Sequence, residues 1–173
     1  VLYTTFKFGW GPTENGWSPF AVGIVSALAQ GVLLGRLLRW LGPQRLALWG
    51  LASSSLAFLF WGLATDGWMM YAVIFVNLLG GTVAATVQSI VSSSADARSQ
   101  GQTMGAVSSL NSLMAVAAPV IGAPLIAMVS HFPHGDWRIG TPLYFCALLQ
   151  AASLMLAWRH FASRPVLVQS LTP

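Results

Sequence analysis

The chain has 173 residues, of which 55% are hydrophobic and only 7% are charged. A water-soluble domain carries about 25% charged residues, so this composition excludes one and indicates an integral membrane protein. The net charge of +4 comes from dispersed basic residues without interleaved surface aromatics, which excludes nucleic acid as a partner.

The charged side chains fall into short groups separated by five long stretches without charge. Each stretch is long enough to cross a bilayer as a helix, which takes about 20 apolar residues. We therefore predict an all-α, polytopic membrane protein with five transmembrane helices. Their expected positions are residues 18–39, 45–64, 68–91, 104–129 and 140–160.

The segments outside this predicted bundle are short. We interpret residues 1–17 as the outer end of a preceding helix with a periplasmic loop, residues 18–162 as the five-helix bundle, and residues 163–173 as a cytoplasmic tail. Val1 is not an initiator methionine and the first residues do not form a signal peptide. We therefore expect the chain to begin inside a larger protein.

The arginines predict how the bundle is oriented. Only Lys7 and Arg138 fall on one side of the predicted helices. The basic residues on the other side are Arg36, Arg39, Arg45, Arg98, Arg159 and Arg164. Because loops rich in Lys and Arg stay in the cytoplasm, we expect the N-terminus outside and the C-terminus inside.

Polar side chains at membrane depth are the candidates for function, because each must find a partner or line a wet cavity. We take four carboxamides as candidates for the wall of a substrate cavity: Gln30, Asn77, Gln88 and Asn111. The alternative is that they form hydrogen bonds between helices, worth about 0.6 kcal/mol each. The sequence leaves both interpretations open. Lone serines at depth, such as Ser26 and Ser54, more often bond to their own helix.

Two prolines, Pro119 and Pro124, interrupt the hydrogen-bond ladder of the fourth predicted helix. Proline lacks the backbone donor and clashes with the preceding turn, so we expect this helix to bend. The bend is either a static shape or a gating element, and the sequence does not choose between them.

No residue pattern indicates an enzyme, a cofactor or a metal site. The chain has no phosphate-binding loop, no GxSxG or HExxH motif, and no charged pair inside a predicted helix for acid–base chemistry. The outer loop with His131, His134 and Asp136 offers few ligands, so a solvated loop is the preferred interpretation.

Two segments resemble a known family. The basic turn Gly35–Arg45, GRLLRWLGPQR, is similar to the loop signature that transporters of the major facilitator superfamily repeat in each half. A later series runs through Gly80-Gly81, Gln88, Gly105, Asn111 and Ala118-Pro119. This series looks like the tenth and eleventh helices of the tetracycline-resistance type of drug:proton antiporter. The resemblance covers about residues 3–162 and corresponds to helices eight to twelve of twelve.

The resemblance implies half of a major facilitator fold in the bacterial inner membrane, working by alternating access around a midplane cavity. It implies proton-coupled efflux of a small amphipathic drug. The expected partners are membrane lipid and the missing N-terminal half, or another membrane protein subunit. The basic turn is implied to be a cytoplasmic gate, and its residues are Gly35, Arg36, Arg39, Gly42 and Arg45.

The chain also departs from that family's pattern. By motif spacing, Ser26 and Ser54 occupy the positions of a His and an Asp in tetracycline exporters of this type. We therefore expect a proton-carrying residue to lie in the missing half. A second hypothesis is a truncated half that no longer transports and serves as a structural or assembly subunit of a larger membrane complex.

Overall fold

The computed structural model describes residues 2–94, 99–133 and 136–163, apart from the side chains of Leu2, Phe6 and Ser94. This part of the chain is helical and contains no strand. Its α-helices are α1 (Leu2–Phe8), α2 (Pro12–Leu28), α3 (Leu34–Leu63), α4 (Gly67–Val76), α5 (Val83–Ser94), α6 (Gln100–Val129) and α7 (Thr141–Ser163). A π-helical turn, Ala29–Leu33, joins α2 to α3, and a 3₁₀ turn, Trp137–Gly140, precedes α7.

Helix α3 consists of two rods that meet at Gly42. We call them α3a (residues 34–41) and α3b (residues 43–63). Gly42 has φ 73° and ψ 161°, a conformation open essentially to glycine alone, and Pro43 then starts α3b because proline suits the first helical position. Trp61 near the end of α3b lies beside Asn15 and Val22 of α2, so the chain reverses at Gly42. The reversal lies within the basic turn Gly35–Arg45.

The third predicted helix, residues 68–91, is not continuous, and this corrects the expectation from the sequence. Helices α4 and α5 are separated by a 3₁₀ turn, Gly80–Thr82, and their axes differ by 57°. The cause is local. Asn77 ends α4, and the pair Gly80-Gly81 follows, so three residues of low helix propensity coincide at one place.

Helix α6 runs from Gln100 to Val129 with Pro119 and Pro124 inside it. The prolines thus do not divide α6 into separate helices, and the bend expected at them stays a prediction. The loop after α6 leads to the 3₁₀ turn, which Asp136 caps by accepting a hydrogen bond from the backbone N–H of Arg138 at 2.8 Å.

Three helical runs are long and apolar enough to cross a bilayer, namely Pro12–Leu63, Gln100–Val129 and Trp137–Ser163. The bent pair Gly67–Val76 and Gly80–Ser93 can form a fourth crossing. The chain is therefore a polytopic, all-helical membrane protein, as its composition predicted. The number of five crossings stays a prediction, because it requires both arms of the run Pro12–Leu63 to cross separately.

Helix α3b is the centre of packing. Its buried positions recur at helical spacing and are Leu46, Ala47, Gly50, Leu51, Ser54, Ala57 and Gly62. A side chain at Gly50 would lie 2.5 Å from Val83 of α5, so glycine lets these two helices approach closely. Helix α7 packs along α3b in the opposite direction, because Tyr144 contacts Gly62 whereas Ser55 contacts Ala147.

The two ends of the bundle differ in charge. One end, which we call the α1 end, contains α1 together with residues 62–68 and 136–144 and carries Glu14, Asp66 and Asp136. The opposite end, which we call the arginine end, carries Arg36, Arg39, Arg45 and Arg159. Asp96, Arg98 and Arg164, and all of the predicted tail beyond Ser163, lie outside the described residues.

Gly42→Ala should destabilise the fold by about 1–3 kcal/mol, because an alanine at this φ and ψ is strained. The measurement is thermal unfolding of the protein in mild detergent. Gly35→Ala is the matched control, since Gly35 lies in a regular helix and an added methyl group meets nothing within 4 Å. Equal melting temperatures for the two variants would contradict the role assigned to Gly42.

Candidate functional site

Polar side chains from three helices meet at the break between α4 and α5. We call Ser26 of α2, Ser54 of α3b, Asn77, Gly80 and Gly81 the polar cluster. The hydroxyl of Ser54 donates a hydrogen bond to Oδ1 of Asn77 at 3.3 Å, and Ser54 is only 6% exposed. The hydroxyl of Ser26 lies 3.7 Å from the position that a Cβ atom at Gly81 would occupy.

The glycines of the break make this approach possible. A Cβ atom at Gly80 would collide with both Oδ1 of Asn77 and Oγ of Ser54. Glycine is therefore required at residue 80 if Ser54 and Asn77 are to form their hydrogen bond. Glycine thus has two effects here: its low helix propensity helps to break the helix, and its lack of a side chain leaves space for Ser54 and Asn77.

The backbone groups that the break releases find partners nearby. The hydroxyl of Ser53 donates to the carbonyl of Val76 at 3.0 Å, and the hydroxyl of Thr82 donates to the carbonyl of Leu79 at 2.7 Å. Inside a bilayer an unpaired carbonyl would cost several kcal/mol. The Leu79 carbonyl also accepts from the backbone N–H of Thr82 at 3.1 Å, so it is the Val76 carbonyl that depends on a side chain, the hydroxyl of Ser53.

A small cavity lies against the cluster. Its volume is about 40 Å³, and its lining is Val22, Val25, Ser26, Trp61, Ile74, Asn77, Leu78 and Gly81. Drug-sized ligands occupy pockets of about 300–1,000 Å³, so this cavity is too small for one. Its size and its two polar side chains suit an ordered water molecule. The cluster is a partly buried polar junction between three helices.

The structure separates the four carboxamides that the sequence singled out. Asn77 belongs to the polar cluster and is partly buried. Gln30 lies in the π-helical turn, Gln88 on α5 and Asn111 on α6, and all three are exposed on the described bundle. The described residues therefore do not enclose these three amides in a common cavity. A shared cavity wall stays a prediction.

Sequence reasoning underestimated Ser54. A lone serine was expected to bond to its own helix, yet Ser54 is paired with Asn77, which lies 23 positions later in the chain. The sequence did offer one indication: by motif spacing, Ser54 lies where tetracycline exporters of this type carry an Asp. Ser153 of α7 shows the expected behaviour, because its hydroxyl donates to the carbonyl of Leu149 in its own helix at 2.9 Å.

The basic turn surrounds Gly42. The guanidinium Nε of Arg39 donates to the carbonyl of Gly35 at 3.2 Å, one helical turn earlier. Arg36 and Arg39 are exposed and border an open groove of about 460 Å³ with Leu33, Leu37 and Trp40. Arg45 is exposed at the start of α3b. Their use as a gate stays a prediction.

The outer loop was interpreted as solvated rather than metal-binding. His131 and Asp136 belong to the described residues, whereas His134 lies outside them. Among the residues that are described, no three potential ligands from His, Cys, Asp and Glu come together. The carboxylate of Asp136 instead caps the 3₁₀ turn, as noted above.

Lys7 is the feature that the sequence did not reveal. It is the only lysine of the chain, and it is 1% exposed. Its ammonium group donates to the carbonyl of Gly62 near the end of α3b, and the hydroxyl of Tyr144 donates to the same carbonyl at 2.9 Å. The ring centre of Tyr3 lies 5.6 Å from Nζ, within reach of a cation–π interaction. Lys7 thus joins α1, α3b and α7.

The environment of Lys7 changes its protonation. Burial lowers the pKa of Lys7 from an ordinary value of 10.5 to about 8, and the nearby carboxylate of Asp136 opposes this by raising it. The carbonyl end of α3b also favours a cation. Lys7 lies in α1, outside the helical runs that can cross the bilayer.

The sequence profile of the Major Facilitator Superfamily matches residues 1–171, which is nearly the whole chain. The chain belongs to this superfamily. It is 34% identical over 157 residues to the class D tetracycline resistance protein of Salmonella ordonez, and the match covers 90% of this chain and 39% of that protein. It is 29% identical over 161 residues to the class B tetracycline resistance protein of Escherichia coli, with the same two coverages of 90% and 39%.

A shorter match extends the superfamily comparison beyond bacteria. Hippocampus abundant transcript-like protein 1 of Bos taurus is 30% identical over 112 residues, which are 65% of this chain and 22% of that protein. The chain spans 39% of the length of the class B and class D tetracycline resistance proteins. No solved structure gives a significant match to the chain.

Gly80→Ala should disrupt the polar cluster, because its methyl group needs the space of the Ser54 and Asn77 oxygens. We expect a destabilisation of about 1–3 kcal/mol, typical of overpacking, measured as a lowered melting temperature in detergent. Gly81→Ala is the matched control, since its added methyl group would meet Ser26 at an ordinary 3.7 Å. The assignment fails if Gly81→Ala is as damaging as Gly80→Ala.

The buried lysine predicts a pH dependence of stability. Between about pH 8 and pH 10.5 the folded chain binds fewer protons at Lys7 than the unfolded chain, so the free energy of unfolding rises with pH across this window. Melting temperatures of wild type and Lys7→Met, followed by tryptophan fluorescence, should therefore diverge in favour of wild type as the pH rises. Parallel curves of melting temperature against pH for the two proteins would show that folding does not lower the pKa of Lys7.

Proposed function

We propose that this chain is the C-terminal part of a proton-coupled efflux transporter that exports small amphipathic drugs by alternating access. The observation that carries the proposal is the match of nearly the whole chain to the Major Facilitator Superfamily, with 34% identity to a class D tetracycline resistance protein. The remaining part of such a transporter would be the partner that completes the substrate cavity.

The exposed carboxamides support this arrangement. Gln30, Gln88 and Asn111 lie on three different helices, and each presents a polar amide on the surface of the described bundle. A polar side chain on a membrane helix is stable where it faces a wet cavity or a partner helix. In the proposed transporter these amides face the N-terminal half and contact substrate through hydrogen bonds rather than through ion pairs.

The proton-carrying group of the proposed antiporter would lie outside this chain. The described acids Glu14, Asp66 and Asp136 are at the α1 end of the bundle, and the middle of the described helices holds neutral polar groups. Ser26 and Ser54 cannot exchange protons near neutral pH. The polar cluster would instead keep the break between α4 and α5 in place during the cycle.

The proposed location is the bacterial inner membrane, with the arginine end facing the cytoplasm. Arg36, Arg39 and Arg45 then lie at the inner surface, where anionic lipids attract basic residues. Gly42 supplies the tight reversal between them. In this orientation the chain has a periplasmic N-terminus and a cytoplasmic C-terminus, and the basic turn would act as the cytoplasmic gate.

The test replaces Gln88 and Asn111 together by leucine in the protein as cells produce it, and measures efflux of a fluorescent amphipathic drug from cells. We expect at least about tenfold weaker efflux at an unchanged level in the membrane, because each lost hydrogen bond costs about 0.5–1.5 kcal/mol. Ser153→Leu is the control, since Ser153 is exposed on α7 and bonds within its own helix.

The other outcomes distinguish the alternatives. Loss of membrane insertion in the double variant would show that the amides are packing residues. Wild-type cells that retain the drug as fully as cells without the protein would overturn the transport proposal and favour a structural subunit.

A further inference from the structure

A second feature of the molecule lies away from the polar cluster, on the face where α3b and α7 meet. An apolar groove of about 360 Å³ runs between these helices, lined by Leu48, Ala151, Leu154, Met155 and Trp158. Met155 is 59% exposed and Trp158 is 64% exposed, so the described chain does not cover the groove. The occupant of an uncovered apolar groove on a pair of membrane helices has to be apolar where it enters.

The groove opens at the arginine end of the bundle. Helices α3b and α7 are antiparallel, with Gly62 beside Tyr144 at the α1 end and Ser55 bonded to the carbonyl of Ala147 at 3.0 Å further along. Leu48 therefore meets the last turns of α7. An exposed tryptophan near a helix end is typical of the boundary between hydrocarbon and headgroups.

Two arginines lie close in sequence to residues that line this end of the groove. Arg45 lies one helical turn before Leu48 on α3b, and Arg159 follows Trp158 on α7. Both side chains are exposed. The acids of the described chain, Glu14, Asp66 and Asp136, are all at the opposite end, so no carboxylate of the described residues neutralises these two arginines.

We propose that the groove and the arginine pair, Arg45 and Arg159, bind one anionic phospholipid. An acyl chain fills the apolar groove, and the headgroup phosphate accepts hydrogen bonds from the two guanidinium groups. Arginine suits this role because its planar donors match the geometry of a phosphate. Charge complementarity selects an anionic lipid over a zwitterionic one, and the apolar groove selects a lipid over free phosphate.

Lipid binding at this site is independent of the proposed transport activity, because it requires only that the chain is embedded in a membrane. It differs from general attraction of basic loops to a membrane surface, because it specifies two residues and the groove between them. Arg36 and Arg39 lie on α3a and border a different groove, with Trp40. We therefore expect substitution of Arg45 or Arg159 to weaken lipid binding, whereas substitution of another arginine should not.

The experiment titrates the protein, purified from membranes in mild detergent, with dioleoyl phosphatidylglycerol or dioleoyl phosphatidylethanolamine and counts bound lipids by native mass spectrometry. We expect preferential binding of one phosphatidylglycerol. Arg45→Gln and Arg159→Gln should each weaken that binding about fivefold. Arg138→Gln removes the same charge at the α1 end and should leave binding unchanged.

A second pair of variants tests the groove itself. Ala151→Phe fills the space that the acyl chain would occupy and should weaken phosphatidylglycerol binding, whereas Ala152→Phe is the matched control because the neighbouring Ala152 does not line the groove. Both alanines are exposed, so both variants are expected to fold. Equal binding of the two lipids, equal losses in all three arginine variants, or full binding by Ala151→Phe would each overturn the proposal. Binding of inorganic phosphate with the same affinity would assign the arginines to a free anion instead.

Discussion

The structure depends on one constraint: inside a bilayer no water pairs with backbone N–H and C=O groups, so the protein must pair them itself. Regular helices satisfy this rule without help. The break between α4 and α5 does not, and the hydroxyl of Ser53 on α3b pairs the carbonyl of Val76 that the break releases. A non-helical segment is permitted only where neighbouring side chains complete its hydrogen bonds, which ties the break to α3b.

Helix α3b connects the polar cluster to both ends of the bundle. At one end the carbonyl of Gly62 accepts from Lys7 and Tyr144, which joins α1 and α7 to it. In its middle, Ser54 reaches Asn77 at the broken helix. At its other end, Gly42 reverses the chain just before the exposed Arg45. A displacement of this helix would therefore move the polar cluster and both ends of the bundle together.

The outer helices have a different character. Helix α6 is exposed along most of its length, and Asn111 lies on it together with exposed apolar residues such as Leu110 and Leu113. No other helix of the described residues covers these faces. Polar and apolar surface thus occur side by side on this helix.

Much of the fold could be predicted from the sequence, because the informative properties are local. Apolar runs of bilayer length predict membrane helices. The basic turn and the later glycine series were sufficient to suggest the superfamily. Each of these features depends on residues that are near one another in the chain.

Tertiary structure decided the rest. The sequence placed Lys7 outside the bundle and treated Ser54 as a residue bonded to its own helix, yet both bond to groups that are 55 and 23 positions away, respectively. The break after Asn77 likewise persists because α3b supplies Ser53 and Ser54 at that depth. Charge spacing and helix propensity describe single segments, whereas burial of a lysine or pairing of a serine requires a second segment whose position only packing determines.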